Sequence, residues 1–140
     1  MSDSCVFCRL LAGDGSAQWL ARGDAASALL PLPAGALAPG HTIVISNEHA
    51  VGVQDVSADG MRAVALLVQR IAQQMNDVIG ARGVNVLNAS GPDSDQSVPH
   101  LHFHVVPRWP GDELDTWPRG RSAHQLDPGW METIRSRLGT

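Results

Sequence analysis

The chain has 140 residues, the size of one ordinary domain, with 10 Lys+Arg against 14 Asp+Glu and a formal charge of −4. A hydrophobic content of 44% supports a buried core, while the acidic balance argues against a broad binder of nucleic-acid backbones. Every basic residue is Arg and Tyr is absent, which excludes a Schiff-base lysine, a Walker-type phosphate lysine and a tyrosine nucleophile.

In chain order, Cys5 to Leu11 predicts one or two helical turns ended by Gly13 and Gly15. Gln18 to Arg22 and Ala25 to Leu32 predict short strands around a Gly23-Asp24 turn. Pro31, Pro33, Gly35, Pro39 and Gly40 punctuate a loop, and the β-branched run His41 to Ser46 predicts a buried strand. Met61, Val64, Val68, Ile71, Met75 and Val78 recur at three- and four-residue steps. That period predicts an amphipathic helix from about Ser57 to Ile79, with Ser57 as N-cap and Gly80 at its end. Gly83 to Ala89 alternates like a strand, Ser90 to Val98 is a polar loop, and Pro99 to Pro107 is a further strand. The tail is rich in Trp, Pro and Gly (Trp109, Trp117, Trp130) and predicts a short helix near Trp130 to Leu138. The expectation is a single α+β domain over residues 1–140, with a mostly antiparallel sheet and one long helix. No apolar run approaches a membrane span, and the start Met1-Ser2-Asp3-Ser4-Cys5 lacks a basic secretory region, so a cytoplasmic location is expected.

The informative stretch is His100-Leu101-His102-Phe103-His104. Strand alternation turns the three His to one face and Leu101, Phe103 and Val105 to the other. Three imidazoles in strict alternation are poorly explained by packing, because clustering groups that titrate near neutrality costs stability. Two chemistries compete. Alternating His can hold a metal directly. Alternatively, one His is a nucleophile at phosphorus and its neighbours orient it and supply protons. The polar loop carrying Asn88, Ser90, Gly91, Gln96 and Ser97 runs straight into the triad and offers the amides and hydroxyls that a phosphate site needs. Cys5 and Cys8 form a lone C-x-x-C, which alone fits a redox pair, half a metal site or two unrelated thiols.

The segment from Gln96 to Arg108 (QSVPHLHFHVVPR) resembles the signature of the histidine triad (HIT) superfamily. Pro39 to Ile45 resembles that family's upstream strand, and Cys5-Val6-Phe7-Cys8 its bacterial, Hint-like N-terminus. The resemblance spans about Cys5 to Arg108 and leaves the tail from 109 to 140 outside. It implies hydrolysis or transfer at the α-phosphate of nucleoside phosphoramidates, acyl-nucleotides or dinucleotides through a nucleotidyl-histidine. By position His102 is the nucleophile, His104 contacts the phosphoryl or leaving-group oxygen, and His41 supports the cluster. Asn88, Gln96 and Ser97 match positions that contact or flank substrate. The resemblance also implies structural zinc on Cys5, Cys8, His49 and His100. For partners it implies an AMP or GMP derivative, with no membrane or nucleic acid. It further implies a homodimer built on the long helix and the Gly83–Ala89 strand. One feature departs from the pattern: where relatives carry an Asp or Asn that holds the ribose hydroxyls, this chain has Pro33, or Pro31 if two residues are inserted. That loss favours a second reading, a nucleotide- or partner-binding regulator with little turnover.

Overall fold

The computed structural model describes residues 4–139. Helix α1 (Val6–Leu11) opens the chain, with Cys5 as its N-cap; the Cys5 sulfur accepts from the Cys8 N–H. Strands β1 (Trp19–Arg22), β2 (Ala26–Leu29) and β3 (Thr42–Ser46) follow, with a 3₁₀ turn at Pro33–Gly35 between the last two. Helix α2 (Ala58–Ile79) starts where the Ser57 hydroxyl accepts from the Gly60 N–H. It stops at Gly80, whose φ of 67° needs a residue without a Cβ. Strands β4 (Gly83–Leu87) and β5 (His102–Arg108) precede the tail, which ends in helix α3 (Trp130–Leu138).

The five strands form one antiparallel sheet in the order β1-β2-β3-β5-β4. The central strands β2 and β3 are buried along their whole length, so each face must be covered. α2 covers one face: Val64, Ile71 and Met75 pack on Ala26, Ala28, Val44, Leu101 and Val105. On the other face Cys5 and Phe7, at the head of α1, pack with Leu29, Ile43 and Ile45. The register places His104 opposite Ile43 and His102 opposite Ile45. Both His therefore share the α1 face, while Phe103 and Val105 turn to α2.

Every strand is shorter than its sequence predicts, and for two of them the structure shows why. β2 ends at Leu29, because Pro31 and Pro33 lack the N–H that would extend the ladder. β5 starts at His102 rather than Pro99, because the Leu101 N–H donates to the Ala50 carbonyl at 2.7 Å instead of to a strand. No helix among the described residues is long and apolar enough to cross a membrane.

Candidate active site and metal centre

Cys5, Cys8, His49 and His100 come together from the head of α1, the segment after β3 and the approach to β5. Their donor atoms all lie within 4.8 Å of one another. Cys8 Sγ is 3.2 Å from His49 Nδ1 and 3.5 Å from His100 Nδ1, and Cys5 Sγ is 3.4 Å from His100 Nδ1. A zinc tetrahedron with bonds of 2.0–2.3 Å has edges of about 3.3–3.8 Å. Three of the six pairs lie close to those edges and the whole set lies within 4.8 Å, so the cluster could close on one ion, and the S₂N₂ donor set suits zinc. The His100 ring is fully buried and its Nε2–H donates to the Ser46 carbonyl at 2.6 Å. That bond fixes the tautomer, so Nδ1 is the nitrogen left bare towards the thiols.

Two residues on, the same logic gives the opposite tautomer. His102 Nδ1–H donates to the His100 carbonyl at 2.7 Å, so its bare nitrogen is Nε2. The His102 ring is buried to 4% exposure, and burial pushes its pKa below the usual value. The imidazole is therefore neutral, as a nitrogen nucleophile must be. His41 Nδ1 accepts from the Leu37 N–H at 3.0 Å, so its proton sits on Nε2. That Nε2–H points at His104 Nδ1, 2.9 Å away. His104 must then carry its own proton on Nε2, and burial followed by the neighbouring His102 and His41 lowers its pKa to about 4. Leu37, His41 and His104 thus form a chain of donors that ends in an N–H on the ring beside His102. The His102 and His104 rings stand edge to face at 5.1 Å.

His102 and His104 line a cavity of about 260 Å³ with Leu37, Asn88, Gln96 and Ser97. Asn88 Nδ2–H donates to the His102 carbonyl at 2.9 Å, and its Oδ1 accepts from the Ser90 hydroxyl at 2.7 Å. The Gln96 amide is spanned by backbone: its Nε2–H donates to Val51 O at 2.6 Å, and its Oε1 accepts from the Gly91 N–H at 2.9 Å. Ser97 is exposed, and its hydroxyl makes no hydrogen bond among the described residues. The cavity therefore gathers His102, His104, Asn88, Gln96 and Ser97, while Ser90 and Gly91 lie outside its lining and His41 stands behind His104. Sequence reasoning missed three contributors. Phe7 meets the His100 and His102 rings edge-on at 5.7 Å and 5.3 Å and separates the two centres. Leu37 and Ser46 act through backbone atoms, which residue identity does not reveal.

A model of the HIT domain matches residues 23–111. An adenosine 5′-monophosphoramidase of Schizosaccharomyces pombe is 32% identical over 118 residues, 82% of this chain and 84% of that protein. A crystal structure of a zinc-bound histidine triad family protein from Mycobacterium smegmatis is similar with a TM-score of 0.74 at 32% identity, over 94% of this chain and 88% of that one. A HIT family member from Bacillus subtilis gives a TM-score of 0.78 at 26% identity, over 97% and 95% of the two chains. On this match, and on the triad at the head of β5, the chain belongs to the histidine triad (HIT) family.

Proposed function

We propose that the protein is a nucleotide hydrolase or nucleotidyl transferase that works at the α-phosphate of nucleoside phosphoramidates, acyl-nucleotides or dinucleotides. The observation that carries this reading is the pair of complementary tautomers on one strand: a bare Nε2 on His102 beside an Nε2–H on His104, both lining one cavity. His102 Nε2 attacks phosphorus and forms a P–N bond. The bond to the leaving group breaks while the His104 Nε2–H hydrogen-bonds to the departing atom, whose electron pair takes a proton from solvent. Water then attacks phosphorus, the P–N electron pair returns to His102, and the proton lost by that water passes to solvent. The nucleoside monophosphate departs. The Asn88 amide holds the His102 backbone, Gln96 shapes the loop, and the Ser97 hydroxyl is free to reach the phosphoryl oxygens. Cys5, Cys8, His49 and His100 would hold zinc with no open position, so the metal supplies structure rather than a reacting water. A homodimer through α2 and β4 and a cytoplasmic setting complete the reading.

A specific observation favours a second reading. Pro33 sits in the exposed 3₁₀ turn and offers no side-chain acceptor for ribose, which suits a binder that turns over slowly. Assaying adenosine phosphoramidate with AMP titration separates the two. Multiple turnovers with release of AMP support the hydrolase. AMP binding without turnover supports the regulator.

A further inference from the structure

The cavity at His102 and His104 carries one ionised group that the chemistry above does not use. Its lining is apolar at Leu37, Leu87 and Ala89 and polar at Ser94, Asp95 and Gln96. With the two histidines as neutral imidazoles, the Asp95 carboxylate is the only charged side chain on the wall. No Arg lies between Arg82 and Arg108, so this stretch of chain supplies no cation to offset it. The residues on either side of Asp95 are pinned. The Ser94 hydroxyl donates to the Gly91 carbonyl at 2.6 Å, and the Gln96 amide is held by Val51 and Gly91. Asp95 itself is exposed and has a φ of 65°, in the left-handed region that Asp and Asn enter more readily than other side chains. Its carboxylate has no hydrogen-bond or ion-pair partner among the described residues.

An unpaired carboxylate beside a phosphoryl group that already carries negative charge is repulsive, and each anionic group on the leaving group adds to the repulsion. The sign reverses for a leaving group that carries an ammonium. We propose that Asp95 is a specificity-determining residue that selects nucleoside phosphoramidates whose amine leaving group bears a second, cationic nitrogen, and that it disfavours dinucleotides. The proposal rests on the hydrolase reading and narrows its three leaving-group classes to one. Phosphorus lies at His102 Nε2, the apolar lining takes the base, and the ammonium on the departing arm pairs with Asp95. Asp95 makes and breaks no covalent bond, so its effect is on which substrate is held. A solvated pair of opposite charges supports a preference of up to about fivefold.

The test compares kcat/KM of the wild type and Asp95→Asn on three compounds. Two are the adenosine 5′-phosphoramidates of 1,4-diaminobutane and of n-pentylamine, which match in shape and differ in charge. The third is diadenosine triphosphate. Asn suits the same backbone conformation and removes only the charge. Asp95→Asn should lower the ratio of the diamine to the pentylamine substrate by about threefold to fivefold and raise turnover of the dinucleotide. Added salt should shrink the wild-type ratio. A purely structural role would move all three compounds together, and that outcome would overturn the proposal. An unchanged ratio would overturn it and leave the hydrolase standing. Stimulation of all three by Mg²⁺ that Asp95→Asn removes would give the carboxylate to a phosphate-bound cation, and would also overturn it. Calorimetry of the two phosphoramidates on His102→Ala, with and without Asp95→Asn, reads the pairing without turnover. An ammonium preference there that Asp95→Asn removes, beside a wild type that hydrolyses none of the three, would overturn the hydrolase and keep Asp95 as the ammonium partner.

Discussion

His100 and His102 stand two residues apart on one face, yet they present opposite nitrogens. His100 gives its Nε2–H to the Ser46 carbonyl and keeps Nδ1 for two thiols. His102 gives its Nδ1–H to the His100 carbonyl and keeps Nε2 for the cavity. In each case one carbonyl decides which atom is reactive, and that atom's neighbours decide the chemistry. Two sulfurs and a second imidazole surround the first, the setting of a metal ligand. An amide-rich loop and a neutral imidazole that carries its N–H on Nε2 surround the second, the setting proposed for a nucleophile. The comparison teaches that this triad is not three equivalent histidines. It is a joint between two centres, with the His100 backbone as the shared part.

The sharpest way to break the comparison is to remove each side in turn. His102→Ala should abolish the covalent nucleotidyl adduct and reduce turnover by roughly 10³-fold or more, as loss of a nucleophile does elsewhere. Intact-protein mass spectrometry after an acid-free quench with substrate checks it. His104→Ala should keep the adduct and slow its formation by roughly 10²–10⁴-fold, with the smaller loss for substrates whose leaving group needs no proton. An equal loss for good and poor leaving groups would remove the His104 N–H from contact with the leaving group.

On the metal side, Cys8→Ser should abolish stoichiometric zinc in metal analysis. With free zinc about a thousandfold above its dissociation constant, binding contributes roughly 4 kcal/mol, which for a chain of this size is a fall of about 10 °C or more in Tm. His102→Ala should leave that zinc-dependent increment unchanged. If Cys8→Ser and chelation both leave Tm in place, the four-residue cluster is not a structural metal centre.

Protonation gives a finer cut. In the unfolded chain each imidazole takes up a proton near pH 6.5. In the fold His104 does so only near about 4, because burial and the adjacent His102 and His41 disfavour its charge. Between those values the unfolded state binds more protons, so stability falls as pH drops from about 6.5 towards 4 and is level above. Burial acts in the same direction on His41 and His102. Urea unfolding at pH 7.5 and 5 should show this loss in the wild type and a smaller one in His104→Ala. Equal losses would mean that the His104 ring is not held neutral by the fold.

Much of this was legible in the sequence, and the residues show why. α2 announces itself through its apolar period, its Ser57 cap and its terminal glycine, all of which are local. The alternation of His100, His102 and His104 fixes a shared face as soon as the segment is extended. The cysteine–histidine cluster needed the family resemblance, because Cys8 and His49 are 41 residues apart and their 3.2 Å contact is made by the fold alone. The relay from Leu37 through His41 to His104 was not legible, because its first donor is a backbone N–H that any residue but proline carries. The occupation of Gln96 was hidden for the same reason: both of its partners are main-chain atoms of Val51 and Gly91.

The smallest expected effect concerns ribose. A carboxylate accepting from two sugar hydroxyls contributes about 1.5–3 kcal/mol, or roughly 10- to 150-fold in affinity. Neither Pro31 nor Pro33 has such a group. Pro33 begins the exposed 3₁₀ turn, where a side chain added at its Cα is not hemmed in by a core. Calorimetry should therefore give similar affinities for AMP and 2′-deoxy-AMP in the wild type. Pro33→Asp should restore a ribose preference of about tenfold, with Pro31→Asp as the test of the shifted alignment. Proline at the first position of the turn contributes only a preset φ, so the exchange costs little in stability. A wild type that already prefers ribose strongly would mean that a backbone carbonyl of this loop accepts from the sugar. The 3₁₀ turn would then be part of the nucleotide site, and the case for a slow regulator would lose the one departure from the family pattern on which it stands.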